Sequence, residues 1–329
     1  MTMPKKSAET AIWLQTQERS NMLLLRMMSW ISLRLGRSAS RLVLHLIAVY
    51  FLLFAGDNRR ASLAYLPRAL GRKAGWRDLY RHFFCFAACI HDRIYLINRR
   101  FDLFDIEIHG AENIQPLIDA KKGVLLMGAH LGSFEVMRAL GLQLPGLHVA
   151  MVMHTDNAQK INSMLAAINP HAAMDIIALG QIDSMLQVQQ RLEDGMMVGM
   201  LSDRTLGNEP MAMLNLLGAG AALPTGPFRM AALLRQPVVF MVGLYLGANR
   251  YQIHFETLAD FSATPRGDRE RAVKRAMLRY VELLNRYTRL APYNWFNFFD
   301  YWQSVPKTLQ TPASSQTPAS SQTKEQQKL

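Results

Sequence analysis

Val124-Leu125-Leu126-Met127-Gly128-Ala129-His130-Leu131-Gly132-Ser133-Phe134-Glu135 is the stretch whose reading decides the fold. An unbroken apolar run ends in two small residues, then a histidine, then a glutamate five positions later where a helical pattern begins. The run reads as a strand buried on both faces, the small residues as its turn, and Phe134 onward as the following helix. Strand, turn and helix in that order place His130 at the mouth of a sheet, with the Glu135 carboxylate close enough to orient it. A histidine titrates near neutrality, and a carboxylate on one ring nitrogen fixes the tautomer and raises the basicity of the other.

The same alternation continues outward. Residues 104–110 (FDIEIHG) alternate as a strand, and a capped helix is expected over 113–121. Further strands are expected over 147–153, 195–201, 238–246 and 251–255. Helices are expected between them over 157–168, 181–192 and 227–235. An amphipathic helix over 268–290 places Val273, Met277, Val281, Leu284 and Thr288 on one face. It leads into the aromatic segment 293–302, YNWFNFFDYW. Strands alternating with helices predict an α/β fold, a mixed central sheet flanked by helices, with its site at the carboxyl ends of the strands.

Composition narrows the setting. Half of the 329 residues are hydrophobic, 19% are charged, and the net charge is +12. The charge is uneven: residues 1–110 carry 17 Lys/Arg against 8 Asp/Glu, and the rest carry 20 against 17. A basic, apolar N-terminal third suits anionic lipid or an acidic protein. Nothing interleaves basic and aromatic residues as a single-strand binder would, so nucleic acid is not expected as a partner. Two cysteines make no disulfide framework and fit a reducing compartment.

The first 20 residues are polar and lack the apolar core of a secretory signal. Two apolar segments follow, MLLLRMMSWISLRL over 22–35 and RLVLHLIAVYFLLFAG over 41–56, with arginines within and beside them. The stretch 42–56 would span only about 22 Å as a helix, short of a roughly 30 Å hydrocarbon core. Two membrane-associated helices entering one leaflet are therefore expected, with a spanning anchor as the alternative and a buried soluble helix pair as a third reading that the clustered arginines count against. The organisation expected is an anchoring segment over 1–57, an enzyme domain over 58–305 and a tail over 306–329. That tail repeats TPASSQ and is too polar to build a core. His82, Cys85, Cys89 and His91 are metal-ligand types close in sequence, but on one helix they cannot surround an ion. A packed core face is expected instead, and no metal.

Three features single out His130 among the histidines. It follows an apolar strand and a small-residue turn. A second strand, 195–201, ends in Ser202-Asp203-Arg204. A third element, 217–227 (LGAGAALPTGP), delivers a helix and then another apolar strand. No G-x-S-x-G elbow occurs, so no serine nucleophile is needed if the acceptor brings its own hydroxyl or amine. The chemistry implied is acyl transfer by direct attack.

H-x4-E, the strand-plus-Asp loop and the 217–227 element (LGAGAALPTGP) together resemble the bacterial lipid A secondary acyltransferases, relatives of the lysophospholipid acyltransferases, over residues 11–303. The resemblance implies a lysophospholipid acyltransferase-like α/β fold. It also implies an acyl carrier protein or coenzyme A thioester as co-substrate, no resident cofactor, and a membrane lipid or glycolipid acceptor at the cytoplasmic face of the inner membrane. The motif's base falls on His130, its orienting acid on Glu135 and the later family aspartate on Asp203. Gly132, Ser133, Arg138, Asp203, Arg204 and Thr225 are read as substrate-binding, with backbone N–H groups around Gly132 and Ser133 as donors to the oxyanion. HLGSFE and the final aromatic segment resemble the branch associated with aryl-polyene or related lipids. In one respect the chain departs from the family: no arginine occurs from Ala139 to Gln190, where Lys160 is the only Lys or Arg. A bisphosphorylated sugar would call for more fixed positive charge, so an acceptor other than lipid A itself is expected. The alternatives are a non-catalytic lipid- or carrier-binding module and a His-Glu thioesterase in which water attacks.

Overall fold

The computed structural model describes residues 5–143, 149–155, 163, 168–169, 175–180, 183–204, 210–299 and 301–302, with the side chains of the first helix from Met28 onward. Most of the helix expected over 157–168, Lys160 and the tail lie outside the described residues.

In chain order the elements are α1 (Lys5–Phe54), α2 (Gly56–Leu70), α3 (Trp76–Ile97), β1 (Asp105–His109), α4 (Gln115–Asp119), β2 (Val124–Gly128), α5 (Phe134–Gln143), β3 (Val149–His154), β4 (Ile176–Leu179) and α6 (Ser184–Glu193). They continue with β5 (Met197–Leu201), β6 (Met211–Leu216), β7 (Ala219–Pro224), α7 (Gly226–Leu234), β8 (Pro237–Gly247), β9 (Arg250–Asp260) and α8 (Arg269–Leu290). A seven-stranded sheet runs in the order β1-β9-β8-β2-β5-β3-β4. Neighbours are parallel except the antiparallel β8–β9 pair, so the sheet is mixed, as the alternation predicts. All five residues of β2 are buried, which is why that strand reads as a continuous apolar run.

Three local readings differ from the structure. The helix expected over 113–121 is a 3-10 turn at Ala111–Asn113 followed by the short α4, which starts at Gln115 with Pro116 in its first turn. The strand β4 carries too short a pattern to announce itself. The 217–227 element is largely a hairpin, in which β6 and β7 pair antiparallel around Leu217 and Gly218, both at positive φ. That two-residue turn matches strand twist, but the Ala/Gly-rich β7 has weak strand propensity and hides the pairing.

The N-terminal helix breaks at Gly36 (φ 80°, ψ 167°). Beyond the break, residues 37–54 lie along α3 and the β8–β9 turn. Arg37 forks onto Asp92 (2.8 and 2.9 Å), and Tyr251 also donates to Asp92 (2.8 Å). Ser40 bonds the His91 ring (2.7 Å), and Arg41 donates to the Ala248 carbonyl (2.7 Å) and Tyr245 (3.0 Å). Ser40, Leu44 and Ala48 are buried on this face. Leu42, Leu46, Val49, Tyr50, Leu53 and Phe54, at helical spacing, are exposed on the other. Met28–Phe54 is the one helix among the described residues long and apolar enough to cross a membrane.

On α3, His82 is wholly buried. Its Nε2–H donates to the Trp295 carbonyl (2.9 Å), so its Nδ1 accepts from Ser62 (3.1 Å). Burial lowers its pKa to about 4, which keeps the ring neutral. Cys89 is buried as well, so this stretch packs the core.

Candidate active site

Register puts the site together. β2 and β5 are parallel neighbours with Gly128 opposite Leu201. Two residues beyond each strand end, His130 and Asp203 therefore emerge side by side at the carboxyl edge. His130 Nδ1 lies 2.7 Å from Asp203 Oδ1, and the His130 backbone N–H donates to Asp203 Oδ2 (3.1 Å). Trp295 Nε1–H and Asn297 Nδ2–H also donate to Oδ2, each at 3.0 Å. The Tyr301 hydroxyl donates to the Asp203 backbone carbonyl.

Asp203 has no solvent exposure. Burial alone would raise its pKa. The charges of His130 and Arg204 and the bonds from His130 and Trp295 outweigh it and hold the carboxyl well below the usual range. An ionised carboxylate only accepts, so His130 Nδ1 carries a proton, and in the neutral ring Nε2 is the nitrogen with the lone pair. The tautomer thus follows from the donor set around one buried anion. The His130 side chain retains 28% of its exposure, so the ring is reachable from solvent.

Glu135 was expected on this imidazole, but the structure has it elsewhere. Its buried carboxylate accepts from Arg138 Nε (2.8 Å) and lies 3.8 Å from Arg93 Nε on α3. Glu135 is the second residue of α5, and its side chain meets α3 instead of turning back over the end of β2. The positive charge that the sequence lacks over 139–190 is supplied in part from α3, α5 and the β5 loop, by Arg93, Arg138 and Arg204.

Backbone donors at the turn are committed. Gly132 N–H donates to the Asn294 carbonyl (2.8 Å) and Ser133 N–H to the Gly243 carbonyl (2.7 Å). Neither is available to an oxyanion in this arrangement, contrary to the sequence reading, because the turn is stitched into β8 and the aromatic segment. Phe296 N–H donates to the His130 carbonyl (2.8 Å) and completes the stitching. Thr225 donates to the Pro210 carbonyl (3.1 Å) and closes the β6–β7 hairpin, so its bond is to the hairpin and not to the histidine. Arg204 is with the histidine: its Nε lies 3.1 Å from both ring nitrogens.

Sequence reasoning missed Trp295, Asn297 and Tyr301. The signal was present, since amide and indole donors among large aromatics demand buried acceptors. Nothing local says which acceptor.

Gly132 makes the tight approach possible. Its φ is +74°, and an added Cβ would lie 2.0 Å from the Gly243 carbonyl oxygen. Gly132→Ala is expected to cost about 2–5 kcal/mol, from the left-handed backbone plus forced separation from β8. Urea unfolding checks this, and a loss below about 1 kcal/mol would show that the turn is not held against β8.

A histidine bonded to a buried carboxylate at the carboxyl edge of a mixed sheet is an arrangement found in α/β enzymes. The chain belongs to the bacterial lipid A biosynthesis acyltransferase family, whose model matches residues 23–304. It is an acyltransferase of the kind that acts on lipid A-like lipids. No curated protein matches the chain.

Proposed function

We propose that this protein transfers a fatty acyl group from a carrier-protein thioester to a hydroxyl or amine of a membrane glycolipid, with His130 as base and Asp203 as the group that orients it. The observation carrying this is the His130–Asp203 pair, 2.7 Å apart, in which the buried carboxylate takes Nδ1–H and makes Nε2 the basic nitrogen of the neutral ring. The acceptor O–H (or N–H) gives its proton to Nε2 as its heteroatom attacks the thioester carbonyl. Asp203 stabilises the imidazolium, which then protonates the departing thiolate. Glu135 holds Arg138 and Arg93 at the start of α5, where fixed cations suit an anionic headgroup or the donor's phosphate. An apolar cavity of about 150 Å³ beneath α5, lined by Leu126, Phe134, Met137, Met197, Met241 and Phe255, suits part of an alkyl chain.

Mass spectrometry of membrane lipids from cells with and without the protein tests this reading. One glycolipid species should gain one acyl chain only when the protein is present. Release of free fatty acid from the thioester at the same rate with and without membrane lipid would mean a thioesterase.

The setting proposed is the cytoplasmic face of the bacterial inner membrane, with residues 37–54 lying in the plane of one leaflet. In support, one face of this helix is fastened to the domain while Leu42, Leu46, Tyr50, Leu53 and Phe54 stay exposed. Burying each such side chain is worth about 1.5–3 kcal/mol. The full-length protein should float with anionic vesicles and stay bound at high salt, and Leu46→Glu with Leu53→Glu should weaken retention at least ~10-fold. Complete release of the wild type by salt would refute apolar anchoring. Protease access to residues 59–100 from the periplasmic side would mean that the helix crosses.

A further inference from the structure

The far end of the apolar helix carries a surface that the fastening of residues 37–54 does not account for. Ser40 meets His91 and His45 meets Tyr80, so this helix runs antiparallel to α3. Its last turn therefore lies beside the first turn of α3, and Arg59 joins the two. Arg59 Nη1 donates to the Leu52 carbonyl (3.0 Å), one of the last four of α1, and its guanidinium lies 5.8 Å from the centre of the Trp76 ring. Trp76 is 61% exposed, and it continues the apolar face that ends at the exposed Leu53 and Phe54.

The same corner is strongly basic. Residues 59–81 hold seven Lys/Arg and one Asp/Glu. Some of these cations are committed: Arg72 to Asp78 (2.8 Å), Arg60 to Asp57, and Arg68 to the Trp302 ring. Lys73 and Arg77, on either side of Trp76, are exposed, and among the described residues neither makes an ion pair. An indole with cations beside it, at the rim of an apolar face, is the chemistry that suits the headgroup layer of a negatively charged bilayer. An acidic protein would answer the charge but not the apolar face that runs unbroken from Leu53 and Phe54 to Trp76.

We propose that Trp76, Lys73 and Arg77 form an interfacial seat that docks on an anionic lipid surface and fixes how the catalytic domain stands on it. The proposal rests on the reading of residues 37–54 as lying in one leaflet, and adds a selective, charge-dependent contact to that apolar one. The seat is tied to the site through a single helix. His82 follows Trp76 by six residues, about 9 Å along α3. Its ring donates to the Trp295 carbonyl, and the Trp295 indole donates to Asp203. Seating the first turn of α3 among headgroups thus holds the His130–Asp203 edge close to the layer in which a lipid acceptor presents its polar part.

Binding of the full-length protein to two kinds of vesicle tests this: phosphatidylcholine alone, and phosphatidylcholine with one-third phosphatidylglycerol. The wild type should bind the anionic vesicles at least ~10-fold more tightly at low salt, and less than about threefold more tightly at high salt. Lys73→Glu combined with Arg77→Glu should cut that preference at least ~5-fold while neutral-vesicle binding stays within about twofold. Trp76→Ala should weaken binding to both vesicles at least ~3-fold. All three side chains are exposed, and an unchanged urea midpoint confirms the fold; the milder Lys73→Gln with Arg77→Gln should lose part of the preference. An undiminished preference in both double variants overturns the seat. So does a loss of acyl carrier protein binding in those variants with the vesicle preference intact, which would make this corner a protein-docking surface. Wild type that binds both vesicles equally refutes the seat alone, whereas binding to neither refutes the apolar helix reading and the seat with it. Failure of the acyl-transfer reading shows separately, as unchanged membrane lipids, and leaves the vesicle measurements interpretable.

Discussion

His130→Ala is expected to lower turnover by at least about 10³-fold with the fold preserved, the largest single effect in the site. The side chain is partly exposed, and the ring contacts that alanine removes are those with Asp203 and Arg204. Asp203 would keep three of its four donors, His130 N–H, Trp295 and Asn297, so the buried anion stays satisfied. The loss should therefore appear in kcat and not in stability. Turnover within tenfold of wild type by a folded His130→Ala protein would end the general-base mechanism.

Asp203→Asn is expected to cost about 10²–10⁴-fold, through the tautomer and not through charge alone. Three N–H donors converge on Oδ2. An amide at this position must turn its oxygen toward them, which points its NH₂ at His130 Nδ1. The ring then places its proton on Nε2 and loses the lone pair that catalysis needs. Asparagine is the informative change, because alanine would orphan three buried donors at about 1–3 kcal/mol each and confuse folding with chemistry. Combined with His130→Ala, the asparagine variant should add less than about threefold, since both changes disable one unit. Additive losses, or a folded Asp203→Asn protein within fivefold of wild type, would separate Asp203 from the base.

Much of this was legible in the residues. The α/β class, the buried strand β2, the placing of His130 at the sheet's edge and the strand-plus-loop at Asp203 follow from hydrophobic period and punctuation, which are local. The apolar helix over 42–54 was legible too, in its run of large apolar residues. The hairpin β6–β7 was not, because alanine and glycine carry little strand signal. Nor were Trp295, Asn297 and Tyr301, whose donors are visible in sequence while their acceptor lies 92 to 98 residues away.

By itself the sequence determined that a histidine stands at the end of a buried strand with small residues around it, because strand, turn and helix signals act within a few residues. Which carboxylate meets that histidine was decided only in three dimensions. Glu135 is near in sequence, but α5 turns it to Arg138 and Arg93. Asp203 is 73 residues distant, yet the β2–β5 register of Gly128 with Leu201 sets it 2.7 Å from Nδ1. Pairing of non-consecutive strands depends on packing across the whole sheet, which no short stretch of side chains encodes.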